Sequence, residues 1–139
     1  MGNVIKFGEL KRQIDLISHL IIYGQNIKDL PSQPVSISKP LSHSLIEIPS
    51  RNRTMRFTAC FKNVMSQYPD NVVIKDIDVM FNPSYQVDVL TVLTETRKTK
   101  NYSLVWPGRI EGGLLIYSEE GYPDYETFKI ADYDITCVI

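Results

Sequence analysis

A turn that could bind phosphate follows the apolar run at residues 20–23. A phosphate-binding turn needs glycines whose neighbouring N–H groups cradle the phosphates, a lysine, and a hydroxyl that holds magnesium. Here Gly24 is the only glycine of the turn, and no hydroxyl follows Lys28. Pro34 lies ten residues after Gly24, whereas such a loop and its helix need about twenty residues. We therefore predict a plain connecting loop, with Gly24 and Lys28 as the candidates if a nucleotide binds.

Two carboxylates, Asp76 and Asp78, follow a second apolar run at residues 72–74 and could position magnesium. In an ATPase the acid that holds the ion comes directly after such a strand. Lys75 occupies that place, and an ammonium group cannot bind a cation. We predict solvated carboxylates here, no catalytic residue and no cofactor. The alternative is ATP with magnesium, bound by Asp76, Asp78 and the two residues of the first turn. His19 and His43 are too far apart in sequence to suggest a metal site.

Basic residues fall in two short groups, which are Arg51, Arg53 and Arg56, and then Arg97, Lys98 and Lys100. Guanidinium groups suit phosphates or the carboxylates of a partner. Exposed charges that merely solvate a loop are the default interpretation. An acidic protein partner and a nucleic acid are the alternatives, and the second needs a local patch because the net charge is only −1.

Aromatic residues alternate with glycine turns in the C-terminal third, where Trp106, Tyr117 and Tyr122 stand out. Such side chains supply rigid apolar contact area with a polar tip. The pattern is typical of a packed sheet edge, and a partner-binding face is the alternative. The three side chains are therefore candidates for contact with a partner.

The totals indicate one ordinary globular domain over residues 1–139, with 43% hydrophobic and 22% charged residues. Cys60 and Cys137 belong to no CxxC pair, which favours two buried thiols. The N-terminus lacks a signal-peptide pattern, and the apolar runs are too short to cross a membrane. We expect a cytoplasmic protein without a membrane partner, in which a homo-oligomer remains an open alternative.

Short apolar runs and amphipathic segments alternate along the chain. Strands are predicted at residues 20–24, 34–38, 72–74, 102–106, 114–117 and 134–139. Helices are predicted at residues 4–18 (with Ile5, Leu10, Ile14, Leu16 and Ile17 inward), 41–48 after Pro40 with Ser38 as a cap, 57–65, and 83–97. The basic residues 50–56 are predicted to form a loop. This alternation predicts an α/β fold with a mostly parallel sheet flanked by helices.

An ordered series of short segments resembles the BrxF-like small P-loop proteins of type 3 BREX phage-defence systems. It spans roughly residues 19–128. Its segments are residues 41–48 with Arg51 and Arg53, residues 73–83, 87–90 and 96–99, Trp106-Pro107-Gly108, Gly112-Gly113, residues 115–117 and residues 121–125.

The resemblance implies a P-loop-like fold and a phage-defence setting. In the ungapped match the family's magnesium-binding acid falls on Lys75, and its phosphate loop falls on the shortened segment after Gly24. The function expected is therefore that of a non-catalytic subunit with degenerate nucleotide motifs, which contacts other defence proteins or a larger ATPase. A nucleotide-binding ATPase component with an atypical site, and a nucleic-acid-binding module that uses the two basic groups, are the alternatives.

Overall fold

Six parallel strands form the main sheet of the chain, whose computed structural model describes residues 1–14 and 17–139. The strands are β1 (Asn3–Ile5), β2 (Leu20–Tyr23), β3 (Val35–Ser36), β4 (Val72–Lys75), β5 (Tyr102–Val105) and β9 (Ile135–Val138). They lie in the order β1-β9-β2-β5-β4-β3, and every neighbouring pair is parallel. The predicted α/β fold with a mostly parallel sheet is confirmed.

Four α-helices flank this sheet, namely α1 (Phe7–Gln13), α2 (Ser38–Ile46), α3 (Arg53–Met65) and α4 (Val89–Arg97). Alternate residues of a strand point to opposite faces of a sheet. Leu20 and Ile22 of β2 pack in one core cluster with residues of α2, α3 and α4. Ile21 and Tyr23 belong to a second, smaller cluster with Leu10 of α1. The two faces are therefore covered by different helices.

Several predicted helix boundaries are wrong. The helix expected at residues 4–18 is preceded by β1, because residues 3–5 pair with β9 at the edge of the sheet. Leu16, which that prediction placed inward, lies outside the described residues. Residues 53–56, which were predicted to lie in a loop, form the first turn of α3. Ser38 is the first residue of α2 and makes no cap hydrogen bond with its side chain.

A single turn of 3-10 helix at Pro83–Tyr85 replaces the start of the helix predicted from residue 83. The α-helix α4 begins later because the Asp88 carboxylate accepts a hydrogen bond from the Thr91 N–H at 3.2 Å, which makes Asp88 its N-cap. A side-chain cap of this kind fixes where a helix starts. The inward face of α4 is nevertheless buried as the apolar spacing predicts.

A second sheet of three antiparallel strands follows the main one. It consists of β6 (Arg109–Glu111), β7 (Leu114–Tyr117) and β8 (Glu126–Lys129), of which only β7 was predicted. Gly112 and Gly113 form the two-residue turn between β6 and β7 with φ of 60° and 75°. Positive φ at both central residues is the geometry that a tight hairpin needs and that glycine adopts without strain.

The core is continuous between the two sheets. Leu115 of β7 and Phe128 of β8 belong to the same cluster as Leu104 of β5 and Ile74 of β4. Both cysteines are buried free thiols, in line with the sequence-based prediction. Over the described part of the chain, no helix has the length and apolar character needed to cross a membrane.

Candidate functional site

Gly24 lies at the carboxyl edge of the main sheet, where ligands of parallel sheets bind. Its N–H donates to the Val138 carbonyl at 2.8 Å, and its own carbonyl accepts from the Ile27 N–H at 3.2 Å. The chain thus turns once and leaves the sheet. Residues 24–34, all of them described, contain no helix. Lys28 is exposed on this connection and does not line the cleft beside Gly24.

That cleft measures about 390 Å³ and is lined by Gly24, Gln25, Asn26, Gly108, Arg109, Ile110, Glu111 and Ile139. The Gln25 side-chain amide donates to the Gly108 carbonyl at 3.4 Å. The Arg109 guanidinium donates to the Glu111 carboxylate at 2.7 Å, so its charge is already paired within β6. An anion in this cleft would have to compete with Glu111 for its one arginine.

The carboxylates after β4 have different surroundings. Lys75 ends the strand and is exposed. Asp76 is exposed in a left-handed conformation with φ of 60°, which aspartate tolerates better than most residues. The Asp78 carboxylate accepts a hydrogen bond from the Tyr117 hydroxyl at 3.0 Å. Because β5 lies between β2 and β4, about 10 Å separates the strand that precedes Asp76 and Asp78 from the strand that precedes Gly24.

Some of the basic residues pair with groups of the same domain, and others are exposed to solvent. The Arg53 guanidinium donates to the Leu45 and Ile48 carbonyls, both at 2.9 Å, and therefore binds the end of α2. Lys98 pairs with Glu95 at 2.9 Å, and Lys100 pairs with Asp70 at 3.5 Å. Arg53 was predicted to contact a partner or a phosphate, but in the structure it has an internal role. Arg51 and Arg56 are exposed, and Arg97 is half-buried.

These cations do not form one continuous stripe. α3 ends where β4 begins, at the amino edge, and its 13 residues span about 20 Å. Arg56, near the start of α3, therefore lies toward the carboxyl edge. Arg97 ends α4 just before β5, at the amino edge, and lines a cavity there with His19 and Asn101. A single nucleic-acid strand would have to cross the domain to touch both groups.

The three aromatic candidates lie at different depths. Trp106 is fully buried, and its indole N–H donates to the Ile116 carbonyl at 3.0 Å. The structure therefore places Trp106 in the core and not on a contact surface. Tyr117 is half-buried and stacks on Phe81, with 3.8 Å between ring centroids and 8° between ring planes. Tyr122 is 60% exposed.

Tyr122 belongs to a feature that the sequence did not reveal, an open cleft of about 610 Å³ that we term the acidic-aromatic cleft. It is lined by Asp78, Val79, Phe81, Asn82, Pro83, Tyr122, Pro123 and Asp124. The segment after β4 supplies one wall, and the connection from β7 to β8 supplies the other. Each wall carries one carboxylate and one proline. These two segments are some forty residues apart, and only the pairing of β7 with β8 orients the second one.

The electrostatic character of this region is negative. Burial, the hydrogen bond to Asp78 and the charges of Asp78 and Asp124 together raise the pKa of Tyr117 well above its ordinary value. Nearby, burial and then the charge of Asp88 raise the pKa of Glu126. The Glu126 Oε2 atom is buried and has no hydrogen-bond partner among the residues described. Burial is thus the main cause of both shifts, and the charges of neighbouring carboxylates add to it.

Among residues 1–14 and 17–139, no three His, Cys, Asp or Glu side chains cluster in a way that could hold a metal ion. No protein-family model, no curated protein and no solved structure matches this chain.

Proposed function

We propose that the chain is a non-catalytic, P-loop-like subunit that acts by protein–protein contact in a BREX-like antiviral complex. One observation carries the proposal, which is that residues 24–34 connect β2 to β3 without a helix. A triphosphate site after a parallel strand uses the backbone N–H groups at the start of a helix. Without that helix, this connection offers one turn of backbone and one exposed lysine.

The topology of the main sheet supports the P-loop-like part of the proposal. Numbered one to five along the chain, β2, β3, β4, β5 and β9 lie in the order 5-1-4-3-2. β5 thus separates β2, which precedes Gly24, from β4, which precedes Asp76 and Asp78, and both strands end at the carboxyl edge where parallel sheets bind ligands. Because a fold alone does not determine function, the order supports a common architecture and leaves the activity to the site.

The antiviral setting rests on the resemblance of the segments between residues 19 and 128. The partner we propose is a larger ATPase or another subunit of the defence system. A P-loop-like domain without its phosphate loop can still present surfaces that such an assembly recognises. Arg51, Arg56 and the acidic-aromatic cleft are exposed and are the candidates for this contact.

Calorimetry with ATP and magnesium tests the non-catalytic part of the proposal. We expect no heat of binding beyond that of dilution at micromolar protein. Clear binding with a dissociation constant near 1 μM, about −8 kcal/mol, would contradict it.

The defence part is tested by deleting the gene in its host and challenging the cells with phage. Unchanged resistance, in a strain whose neighbouring genes include no methyltransferase and no large ATPase, would reject that setting.

A second candidate function is nucleotide binding at an atypical site on the carboxyl edge of the main sheet, where a cleft of about 390 Å³ lies beside Gly24 without Lys28, Lys75, Asp76 or Asp78 in its lining. Under this second hypothesis, Lys28 or Lys75 would contact phosphates, and Asp76 or Asp78 would hold magnesium. The variants K28A, K75A, D76N and D78N should each abolish turnover if one exists. Absence of hydrolysis by the purified wild-type chain, alone and with the products of neighbouring genes, would remove this candidate.

A further inference from the structure

We propose that the acidic-aromatic cleft binds an arginine-bearing segment of a partner protein. This inference deepens the proposed function, on which it rests, by assigning the face and the chemistry of the contact.

The shape suits a flat cation. Phe81 forms part of the lining but is buried, with its ring stacked on Tyr117 at 3.8 Å between ring centroids, so the aromatic face open to a ligand is that of Tyr122. Tyr122 is 60% exposed at the opposite wall. Pro83 and Pro123 restrict the backbone on both sides. Guanidinium groups stack on aromatic faces and lose less freedom than flexible ammonium groups when they do so.

The charge of the cleft is uncompensated. Asp78 and Asp124 line it, and no lysine or arginine does. Neither carboxylate takes part in an ion pair within the part of the chain that the structure describes. The hydrogen bond from Tyr117 occupies one oxygen of Asp78 but brings no positive charge. A guanidinium placed between the two walls would meet both carboxylates and the aromatic surface together.

The same observations argue against other occupants. A nucleic acid or an acidic segment would be repelled by the two carboxylates. A purely apolar segment would cover Tyr122 while it removed Asp78 and Asp124 from water without a partner, which costs free energy. A second copy of this chain could offer its exposed Arg51 or Arg56. The oligomeric state of the wild-type chain and of D78N/D124N distinguishes such a dimer from binding of a different protein.

The test is an NMR titration of the full, isotope-labelled chain with an acetylated and amidated pentapeptide, alanine-arginine-leucine-arginine-alanine. The control peptide replaces both arginines with citrulline, which keeps the shape and removes the charge. We expect shift changes at residues 78–83 and 122–124 with the arginine peptide, and binding about tenfold weaker with the citrulline peptide.

Variants locate the effect on the protein. D78N/D124N should weaken the arginine peptide by about tenfold, because both ion pairs are lost. E9Q/D29N removes the same amount of charge from exposed positions elsewhere and should leave the affinity within about twofold. Circular dichroism verifies that each variant is folded.

Three outcomes of the peptide titrations would overturn the proposal. These are equal binding of the citrulline peptide, shift changes away from the cleft, and affinity that D78N/D124N leaves unchanged. A dimer of the wild-type chain that D78N/D124N dissociates would assign the cleft to a second copy and would also overturn it. Binding of ATP beside Gly24 would contradict the proposed function and would leave the peptide result standing, so the two failures are distinguishable.

Discussion

Arg53 lies between the exposed residues Arg51 and Arg56 in sequence, but its own side chain binds backbone carbonyls of the same domain. Its guanidinium reaches from the first residue of α3 to three carbonyls at the end of α2, those of Leu45, Ile46 and Ile48. The last carbonyls of a helix have no partner within the helix and carry partial negative charge. A cation in this position satisfies them, and it also ties α2 to α3.

Replacement of Arg53 should therefore destabilise the fold. We expect R53A to lower the free energy of unfolding by about 1–2 kcal/mol, since hydrogen bonds from a charged group are lost at a partly exposed site. Urea denaturation followed by circular dichroism measures the change. The controls R51A and R56A remove exposed arginines of the same cluster and should stay within about 0.5 kcal/mol of the wild type. An equal loss in all three variants would refute the capping role.

Tyr133 is tied to the N-cap of α4, because its hydroxyl donates to the Asp88 carboxylate at 3.1 Å. Burial, then the charge of Asp88, raises the pKa of Tyr133 from 10.0 to about 12. The folded state therefore keeps this proton at a pH where the unfolded chain releases it. The stabilisation is complete below about pH 10 and is lost as the pH rises toward about 12.

We predict that the free energies of unfolding of the wild type and of Y133F differ by an amount that depends on pH. The wild type should be the more stable of the two at pH 7, and the difference should shrink between pH 10 and pH 12, the window set by the two pKa values. Urea midpoints at pH 7, 9, 10 and 11 measure it. Y122F, at a position that is 60% exposed, is the control and should follow the wild type throughout. A difference that does not change with pH would contradict the prediction.

At the scale of elements, the junction between the main sheet and the small sheet depends on Gly108. A Cβ atom there would lie 1.9 Å from the Ile116 carbonyl oxygen of β7. That same oxygen accepts the hydrogen bond from the Trp106 indole at 3.0 Å. The absence of a side chain at residue 108 thus lets β7 approach the end of β5 closely enough for this bond to form.

We expect G108A to lower the free energy of unfolding by about 1–3 kcal/mol, the usual cost of forcing extra atoms into a packed site. The emission of Trp106 should also shift, because its hydrogen bond to β7 would be strained. The matched control is G8A in α1, where an added Cβ meets no atom within 4 Å. Alanine favours helix by up to about 1 kcal/mol over glycine, so G8A should be neutral or stabilising. Similar losses in both variants would show that the junction is not the cause.

At the scale of the whole molecule, the two sheets share one core. Trp106 lies at their junction, with ring centroids 5.6 Å from Phe81 and 6.0 Å from Phe128, both in edge-to-face contact. Phe128 belongs to the small sheet and Phe81 to the segment after β4. Loss of either sheet would therefore remove contacts from the other, which favours cooperative unfolding.

The whole-molecule prediction is that unfolding measured by Trp106 fluorescence coincides with unfolding measured by far-ultraviolet circular dichroism. Trp106 is the single tryptophan of the chain, so its emission reports the junction alone. Both probes should give the same urea midpoint. A fluorescence transition at lower urea than the dichroism transition would mean that the small sheet detaches first and that the cores are separable.

Local sequence determined the elements of the main sheet well. The apolar runs at residues 20–23 and 72–74 are strands, as expected for strands that are buried on both faces. The α/β class followed from their alternation with amphipathic helices. The short connection after Gly24 also followed from the sequence, because ten residues are too few for a phosphate-binding loop and the helix behind it, which need about twenty.

Only the tertiary structure decided which side chains meet. β1, β6 and β8 each contain no more than two apolar residues, and their pairing partners make them strands. Arg53 binds carbonyls five and eight residues earlier in the chain, and Trp106 is buried at the junction of the two sheets, and neither outcome has a signal in the local composition. The acidic-aromatic cleft has the same origin. Asp78 and Asp124 carry no shared motif, and they become neighbours because the β7–β8 pairing holds residues 122–124 against the segment after β4.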